Sequence, residues 1–495
     1  MQIIDINKPV KAMRLLTLFA ISASLVGCGY GSIEEPTAGA PTAATKAATP
    51  SVPTPKAVEL APVSKAGMIS KVAIKANDIN LCEGMPSHTD RVSVKPVAKP
   101  PYLKAYKDPA FGAHITRITE GKFGEVRKPV YSTMQAWNAD ESLMILFEQT
   151  AAGSKHVLLD GQTYEPIRDL RFIPSDLEEV HWSHSDPNEF FFVSKNSSDY
   201  GLFKRYDISK NSSSMIKDFS KHCGPQGLPS GGGDIHMQSV DDDLFGFRCR
   251  KGDGNYIMMS YRVSTDETIV KPIGEGTNWE PWTAPTPTPS GERFWFQGVA
   301  LGLDLETVEA RMDMAKSHEH SNVGRTHDGQ DAIYTTVFNA SPDSCNDDIW
   351  QGIGHLVEHN LETGECRPII NEARGYPYTT SGTHVSAQAY LMPGWVAMSS
   401  IGYDQPNWFV NGRKAPVLFS EIYLANTDPD SEVVCRLAQH RSFAKHAEKG
   451  GYPGYFGEPH ATISPSGTRI VFGSDWYDSG SVDSYVIELP SFVRQ

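Results

Sequence analysis

The feature of this sequence that most constrains its fold is a motif that occurs seven times. In its clearest copy, residues 458–472, a short strand is followed by a tight Ser-Pro-Ser-Gly turn and a second strand. Copies of this unit occupy residues 134–147, 181–192, 236–247, 285–296, 320–334, 384–398 and 458–472. A unit repeated at intervals of about 50 residues is typical of folds in which each repeat packs against its neighbours.

Most copies of the motif are followed by a second hairpin with Asp, Asn, Thr or Gly in its turn, as in residues 203–212, 259–268 and 356–365. Two hairpins make one four-stranded antiparallel blade. Seven such blades account for residues 79–495, so the sequence predicts an all-β fold, a seven-bladed β-propeller. A β-sandwich or several small β domains are the alternatives that the pattern leaves open.

The two ends of the predicted propeller each lack a partner strand. Segment 108–119 has no first strand of its own, and segment 484–489 has no strand after it. In a closed ring the N-terminal strand completes the last blade, so we expect these two segments to pair.

Six cysteines lie within the predicted propeller, an even number that permits disulfides in an exported protein. Their spacing does not resemble a zinc-site pattern. Two pairs would form local bridges and a third would join the start of the fold to its last quarter. The predicted pairs are Cys223–Cys249, Cys345–Cys366 and Cys82–Cys435.

Residues 1–28 resemble a bacterial lipoprotein signal peptide, because Lys11 and Arg14 precede an apolar run that ends in Leu25-Val-Gly-Cys28. The resemblance implies that Cys28 is lipidated, and Gly29 after it favours the outer membrane. An ordinary secretory signal is the alternative, and either Met1 or Met13 would serve as the start. Residues 29–78 are rich in Ala, Pro and Thr and predict a disordered tether, so we expect membrane contact only through the lipid anchor.

The charge balance excludes one class of partner. Lys and Arg number 45 against 59 Asp and Glu, which gives a net charge of −14. Nucleic-acid binding needs a basic face, so it is not expected. We expect a monomer.

Histidine occupies one position of the repeat with unusual frequency. Only 16 of 495 residues are His, so chance would place fewer than one at seven equivalent positions. Four copies nevertheless carry it, at His181, His236, His384 and His460, and His320 opens a fifth copy. The innermost strands of a propeller line its axis, so these rings are predicted to converge on one funnel. Converging imidazoles serve metal binding or proton transfer. The alternative is that each His merely binds a turn in its own repeat.

Several other side chains flank the predicted funnel. Arg250 should return near His236 at the end of the next strand, and a guanidinium there would suit a carboxylate or sulfate. Arg325 lies in an innermost strand and faces either the channel or a buried ion pair. Aromatic residues near loop ends could stack on sugars, although most aromatic residues belong to the core. The candidates are Trp279, Trp282, Tyr403 and Trp476.

Residues 108–119, the Ser-Pro-Ser-Gly turns and the funnel histidines together resemble the β-propeller polysaccharide lyases, namely the oligogalacturonate lyases and the propeller-type ulvan lyases. The opening and the turns are also similar to those of TolB-type propellers, which are not enzymes. The lyase resemblance implies one divalent metal ion (Mn, Ca or Zn) held by histidines and a glutamine. The corresponding residues would be His236, His320, His384, His460 and Gln238.

A lyase of this kind cleaves a uronate-containing polysaccharide, of ulvan or pectate type, by β-elimination. It must neutralise the uronate carboxylate, remove the C5 proton and protonate the leaving O4. We expect His181 and His236 to transfer protons and Arg250 to neutralise the carboxylate. The alternatives are a non-catalytic, lipid-anchored propeller that binds glycan or protein, and a glycoside hydrolase. The sequence contains no Gly-x-Ser-x-Gly, phosphate-binding glycine loop or His-Glu-x-x-His motif.

Overall fold

The computed structural model describes most of the region from residue 79 onward. The predicted signal peptide, Cys28 and the tether over 29–78 lie outside the described residues. The described ranges are 79–93, 95–225, 227–231, 236–312, 320–337, 345, 354–376, 382–401, 414–431, 433–443 and 454–492.

Seven antiparallel sheets form a ring of blades, which confirms the predicted seven-bladed propeller. The first two strands, β1 (Ala105–Lys107) and β2 (His114–Arg117), belong to the last blade. The strands of blades 1 and 2, each from the axis outward, are β3 (Val126–Lys128), β4 (Leu143–Thr150), β5 (Gly153–Asp160) and β6 (Pro166–Asp169), then β7 (His181–Trp182), β8 (Glu189–Val193), β9 (Leu202–Asp207) and β10 (Ser212–Asp218).

Blade 3 has three named strands in the described part of the chain. Its inner edge is formed by isolated bridges that join Ser230 to Arg248 and Gln238 to Phe245. The strands of blades 3 and 4 are β11 (Leu244–Arg250), β12 (Tyr256–Arg262) and β13 (Glu267–Ile273), then β14 (Thr286–Pro287), β15 (Phe294–Phe296), β16 (Val299–Leu301) and β17 (Val308–Arg311).

Blades 5 and 6 each have four strands, which again run outward in chain order. The strands are β18 (Ser321–Arg325), β19 (Asp331–Thr336), β20 (Leu356–Asn360) and β21 (Cys366–Ile370), then β22 (Gly382–Ser386), β23 (Trp395–Ser400), β24 (Glu421–Asn426) and β25 (Val434–Gln439).

Blade 7 closes the ring. Its inner strands are β26 (Thr462–Ile463), β27 (Arg469–Ser474) and β28 (Asp483–Glu488), and β2 then pairs with β28 while β1 pairs with β2. The register places His114 opposite Glu488 and Arg117 opposite Tyr485. The predicted pairing of the N-terminal and C-terminal strands is therefore confirmed.

The three predicted disulfides are all present in the structure. Cys82–Cys435 joins the segment before β1 to β25 in blade 6, across 353 residues of sequence. Cys223–Cys249 and Cys345–Cys366 close short loops.

The core lies between adjacent blades rather than on one side of each sheet. Ile145 and Leu158 of blade 1 pack against Phe190 and Phe192 of blade 2. Phe191, which points to the other face of the same strand, packs against blade 3. Because both faces of a blade are covered, β8 reads as a continuous apolar run rather than as an alternating one.

Helices are few and short in the described residues. They are α1 (Ser220–Cys223) and two 3-10 turns, Glu372–Arg374 and Tyr455–Gly457. None of them has the length and apolar character that a bilayer crossing requires.

The innermost strand comes first in each blade, so these strands share one direction along the axis. We call the face at which they begin the upper face and the opposite one the lower face. The residue before or at the start of each innermost strand therefore lies on the upper face, as the repeat pattern predicts.

Candidate functional site

Three histidines from three consecutive blades meet at the upper end of the axis. His320 directly precedes β18, His384 lies in β22, and His460 comes two residues before β26. The ring centroids of His320 and His384 are 4.5 Å apart, and those of His384 and His460 are 4.4 Å apart. We call these three residues the upper histidine group. The predicted convergence of imidazoles from separate repeats is thus confirmed for blades 5, 6 and 7.

A carboxylate completes this group. Glu458 Oε2 lies 3.3 Å from His460 Nε2 and 3.6 Å from His384 Nε2. One ligand atom from each of these three residues lies within 4.8 Å of the others. Two imidazoles and a carboxylate at this spacing are a donor set that fits a divalent transition metal.

The state of His384 supports this assignment. The residue is buried, and neither of its ring nitrogens has a hydrogen-bond partner among the described residues. Burial, aided by the neighbouring His320 and Lys128, holds the pKa of His384 well below its ordinary value. The ring is therefore neutral near pH 7, which is the form that binds a metal. A bound cation would satisfy a nitrogen that is otherwise unpaired.

A lysine and two tyrosines surround His460. Lys128 Nζ contacts His460 Nδ1 and lies 5.3 Å from the centroid of the Tyr455 ring. The Tyr131 ring stands edge-on to His460 at 4.8 Å, and the Tyr455 ring does so at 4.9 Å. The Tyr455 hydroxyl donates a hydrogen bond of 2.5 Å to Glu178 Oε1. Burial and this carboxylate hold the pKa of Tyr455 well above its ordinary value, so the hydroxyl keeps its proton.

The sequence reasoning missed Lys128, Tyr131, Glu458 and Tyr455. Of these, Glu458 was the most accessible to prediction, because Glu458-Pro-His460 opens the clearest copy of the repeat. The others lie before or between the repeat units, where the repeat pattern gives no signal.

The histidines of blades 2 and 3 have different surroundings. His236 Nε2 donates to the Gln238 carbonyl at 2.9 Å, and Gln388 Nε2 lies 3.5 Å from its other ring nitrogen. Burial, with a smaller effect of the nearby His184, lowers the pKa of His236 to about 4. His181 is also buried and neutral, but its Nε2 has no hydrogen-bond partner among the described residues. We call His181 and His236 the second histidine group.

The amide nitrogen of Gln238 is bonded to residues of blades 2 and 3. Its Nε2 donates to the Trp182 carbonyl at 2.6 Å and lies 2.9 Å from His184 Nδ1, which in turn is 3.2 Å from Asp242 Oδ1. The Gln238 amide oxygen is buried without a hydrogen-bond partner among the described residues. The ligand set that combines Gln238 and His236 with His384 therefore stays a prediction, and the group formed by His384, Glu458 and His460 does not include His236.

Arg250 lies away from His236, contrary to the prediction. Since Gln238 pairs with Phe245, His236 lies near residue 247, and Arg250 extends about 10 Å farther along β11 at the usual strand rise. Its side chain is exposed, with the guanidinium 5.8 Å from the centroid of Tyr256.

Arg325 lies at the opposite end of the axis from the upper group. It is the last residue of β18, whose first residue follows His320, so the strand separates the two ends. Arg325 lines a cavity with His184 and Tyr390, and its Nη2 lies 3.4 Å from the Pro289 carbonyl. The structure therefore places Arg325 at a cavity on the lower side and not with the upper histidine group, and its role as a substrate-binding residue stays a prediction.

The aromatic candidates fall into three groups. Trp476 is buried in the core, where its Nε1 donates to the Val97 carbonyl, so its predicted sugar contact is wrong. Trp279 packs on Phe296 inside blade 4. Trp282 is 49% exposed and remains a candidate platform. Tyr403 lies outside the described residues.

The fold and the axial group define a seven-bladed β-propeller with a histidine–carboxylate site at one end of its axis. No protein-family model matches the sequence, and no curated protein matches it. Among solved structures, an oligogalacturonate lyase in complex with manganese aligns with a TM-score of 0.54 at 14% identity, over 80% of this chain and 99% of that one. An oligogalacturonate lyase from Vibrio parahaemolyticus aligns with a TM-score of 0.53 at 13% identity, over 78% and 97%. The resemblance drawn from the sequence is therefore confirmed at the level of the fold.

Proposed function

We propose that this protein is a carbon–oxygen lyase that cleaves a uronate-containing polysaccharide or oligosaccharide by β-elimination. The observation that carries the proposal is the meeting of three imidazoles and one carboxylate, from three blades, at the upper end of the axis. Both aligned structures are oligogalacturonate lyases, one of them in complex with manganese, and this likeness supports the same reaction class.

The reaction makes three demands on a protein. The C5 proton of a uronate is weakly acidic, so the adjacent carboxylate must first be neutralised. A base then removes the C5 proton, and an acid protonates O4 as the C4–O4 bond breaks.

We assign the neutralising role to the neighbourhood of His384, His460 and Glu458. These residues would hold one divalent cation, and such an ion supplies positive charge to the uronate carboxylate. Nitrogen donors favour manganese or zinc over calcium, which prefers oxygen ligands. The ammonium group of Lys128, in contact with His460, adds charge of the same sign.

We assign proton transfer to Tyr455, which lies beside this group, and to His181 in blade 2. Tyr455 keeps its proton and is suited to protonate O4. His181 is neutral and has an unpaired Nε2, so it is the better base of the second histidine group. Glu178, which accepts the Tyr455 hydrogen bond, precedes His181 by three residues and ties the two blades together. His236 remains a weaker candidate because its Nε2 is engaged by a backbone carbonyl.

The test is direct incubation of the mature protein with polygalacturonate, ulvan and alginate. β-Elimination creates a C4–C5 double bond, so we expect ultraviolet absorbance to rise together with new reducing ends. A chelator should abolish the rise, and manganese should restore it. New reducing ends without absorbance would replace the proposal with hydrolysis, and neither signal would replace it with glycan or protein binding.

We also propose that the protein is exported and anchored by a lipid on Cys28 at the outer membrane. The Leu25-Val-Gly-Cys28 motif supports this, and three disulfides favour an oxidising compartment. A Cys28→Ser protein should lose incorporation of labelled palmitate and leave the membrane fraction. If the Cys28→Ser protein still incorporated palmitate and stayed in the membrane fraction, the proposal of a lipid anchor on Cys28 would be contradicted.

A further inference from the structure

A groove on the upper face of blade 3 gathers positive charge in a chain of net charge −14. It lies where β11 ends and β12 begins, beside Ser230. Its wall includes residues 248–251, and three of these four residues carry a positively charged side chain. The residues that define this blade 3 groove are Ser230, Arg248, Arg250, Lys251 and Tyr256.

The two arginines of the groove lack acidic partners. Among the described residues, no carboxylate lies within 4.0 Å of either guanidinium. Arg248 Nη1 donates to the Pro281 carbonyl at 2.9 Å, while its Nε is buried without a partner. Arg262, at the other end of β12, instead binds Asp243 at 2.9 Å. The unpaired state is therefore a property of the groove and not of arginines on this blade in general.

Nearby acidic groups leave the two arginines uncompensated. Lys251 is paired with Asp253 at 3.2 Å, whereas the acidic side chain closest to Arg248 in its electrostatic surroundings is Glu179. Glu179 is buried, and its carboxylate accepts hydrogen bonds from Gly231 N at 2.8 Å and from Ser175 Oγ. Burial raises the pKa of Glu179 to about 7, so it is partly protonated at neutral pH. A partly buried guanidinium without a counter-charge is stabilised by an anion that enters the groove.

The groove is also held in shape before any ligand arrives. Cys249, between the two arginines, is bonded to Cys223. Both guanidiniums lie over the Tyr256 ring, at 5.9 and 5.8 Å from its centroid. Order in the unbound groove lowers the entropy lost when a ligand binds.

Two features point to a sugar acid as the ligand. A guanidinium fork matches the planar geometry of a carboxylate. Trp282 follows Pro281, whose carbonyl accepts a hydrogen bond from Arg248, and its indole is 49% exposed, so it offers an apolar ring next in sequence to a groove contact. The groove also opens on the same face as the upper histidine group.

We propose that the blade 3 groove binds uronate carboxylates of an anionic oligosaccharide and forms a subsite outside the catalytic centre. The identification of this oligosaccharide as the substrate rests on the proposed lyase function, whereas the binding itself does not. Arg248 and Arg250 hold the carboxylates, and Trp282 contacts a sugar ring.

The experiment is calorimetric titration of galacturonate oligomers into proteins that carry His384→Gln, which prevents turnover. Adding Arg250→Gln or Arg248→Gln should weaken binding about tenfold, the effect of one charge-assisted hydrogen bond. Lys210→Gln removes the same charge from an exposed lysine on the lower face and should change nothing. Fully methyl-esterified oligomers, which lack the carboxylate charge, should bind equally to the arginine variants and their parent.

Equal affinities for the parent and both arginine variants, or an equal loss in Lys210→Gln, would overturn the subsite. A sulfated galactan without uronate that shows the same tenfold loss would overturn the carboxylate assignment. Circular dichroism of each variant separates a folding defect from lost binding, and Arg250→Lys should recover part of the affinity. If the wild-type protein shows no lyase activity, the same titrations can be carried out on it, and they still test whether the blade 3 groove binds carboxylates.

Discussion

The upper and second histidine groups come from the same part of the repeat but have different surroundings. In the upper group the rings of His320, His384 and His460 lie within 4.5 Å of their neighbours and meet a carboxylate. In the second group the Nε2 of His236 is engaged by the backbone. Equivalent histidines therefore acquire different chemistry from the atoms that their nitrogens meet.

The backbone shows the same contrast. His320 and His460 adopt φ angles of +24° and +41°, a region that non-glycine residues rarely occupy, whereas His181 and His236 do not. Such conformations persist where the surrounding structure enforces them, and they cluster at functional sites. The backbone geometry thus agrees with a functional role for the upper group.

The largest expected effect comes from the upper group. His384→Ala or His460→Ala should lower kcat/KM for uronate elimination by at least about 100-fold, because each removes a ligand of the neutralising cation. Initial rates of absorbance increase measure this. Thermal melts provide the folding control, and near-wild-type rates in a folded His384→Ala protein would refute the assignment.

A substitution of the Glu458 carboxylate should weaken metal binding without disturbing the fold. Glu458→Gln keeps the shape of the side chain but removes its charge, so manganese affinity should fall by about 10- to 100-fold. Titration calorimetry on the metal-free protein measures the change. Glu178→Gln is the matched control, because Glu178 accepts a hydrogen bond from Tyr455 but does not belong to the predicted ligand set. An unchanged affinity in Glu458→Gln would remove this residue from the site.

Substitutions at His181 and His236 should distinguish a catalytic role from a structural one within the second histidine group. His181→Gln should lower kcat by about 10- to 100-fold with little change in KM, as expected for loss of a general base. His236→Gln should act mainly on the melting temperature, because its ring bonds to the backbone of its own blade. If His236→Gln lowered kcat and His181→Gln lowered only the melting temperature, His236 and not His181 would be assigned as the general base.

The smallest effect concerns pH. Burial lowers the pKa values of His156, His236 and His355 to about 4, against about 6.5 for an unfolded chain. The unfolded state binds more protons between these values, so stability is complete above about pH 6.5 and declines as pH falls towards 4. Melting temperatures between pH 7.5 and 5 measure the slope. His355→Phe, at a buried position whose two ring nitrogens lack partners, should flatten it. A flat wild-type profile would contradict the neutral state of these rings.

Much of the fold could be predicted because each repeat is specified by turn residues and by the apolar residues of the strands next to them. The Ser464-Pro-Ser-Gly467 turn places Gly467 at a φ of +75°, and strands on either side follow from their apolar residues. The three cysteine pairs were predicted from the even number of cysteines and their positions in the chain, and the closure of blade 7 was predicted from two unpartnered segments. Arg250 and Trp476 were misplaced because strand register and side-chain direction depend on packing that the pattern does not contain.

Seven repeats, their closure into a ring and the histidines that recur at one end of the axis could all be predicted from the amino-acid sequence. The packing of the blades, in contrast, sets which atoms each ring meets. Three of the rings meet Glu458 and Lys128, whereas His236 bonds to the backbone of blade 3 and the Gln238 amide bonds to blade 2. The physical reason is that strand pattern and turn chemistry act over a few residues. The distance between a ring nitrogen and its partner, in contrast, is set by how separate blades pack around the axis.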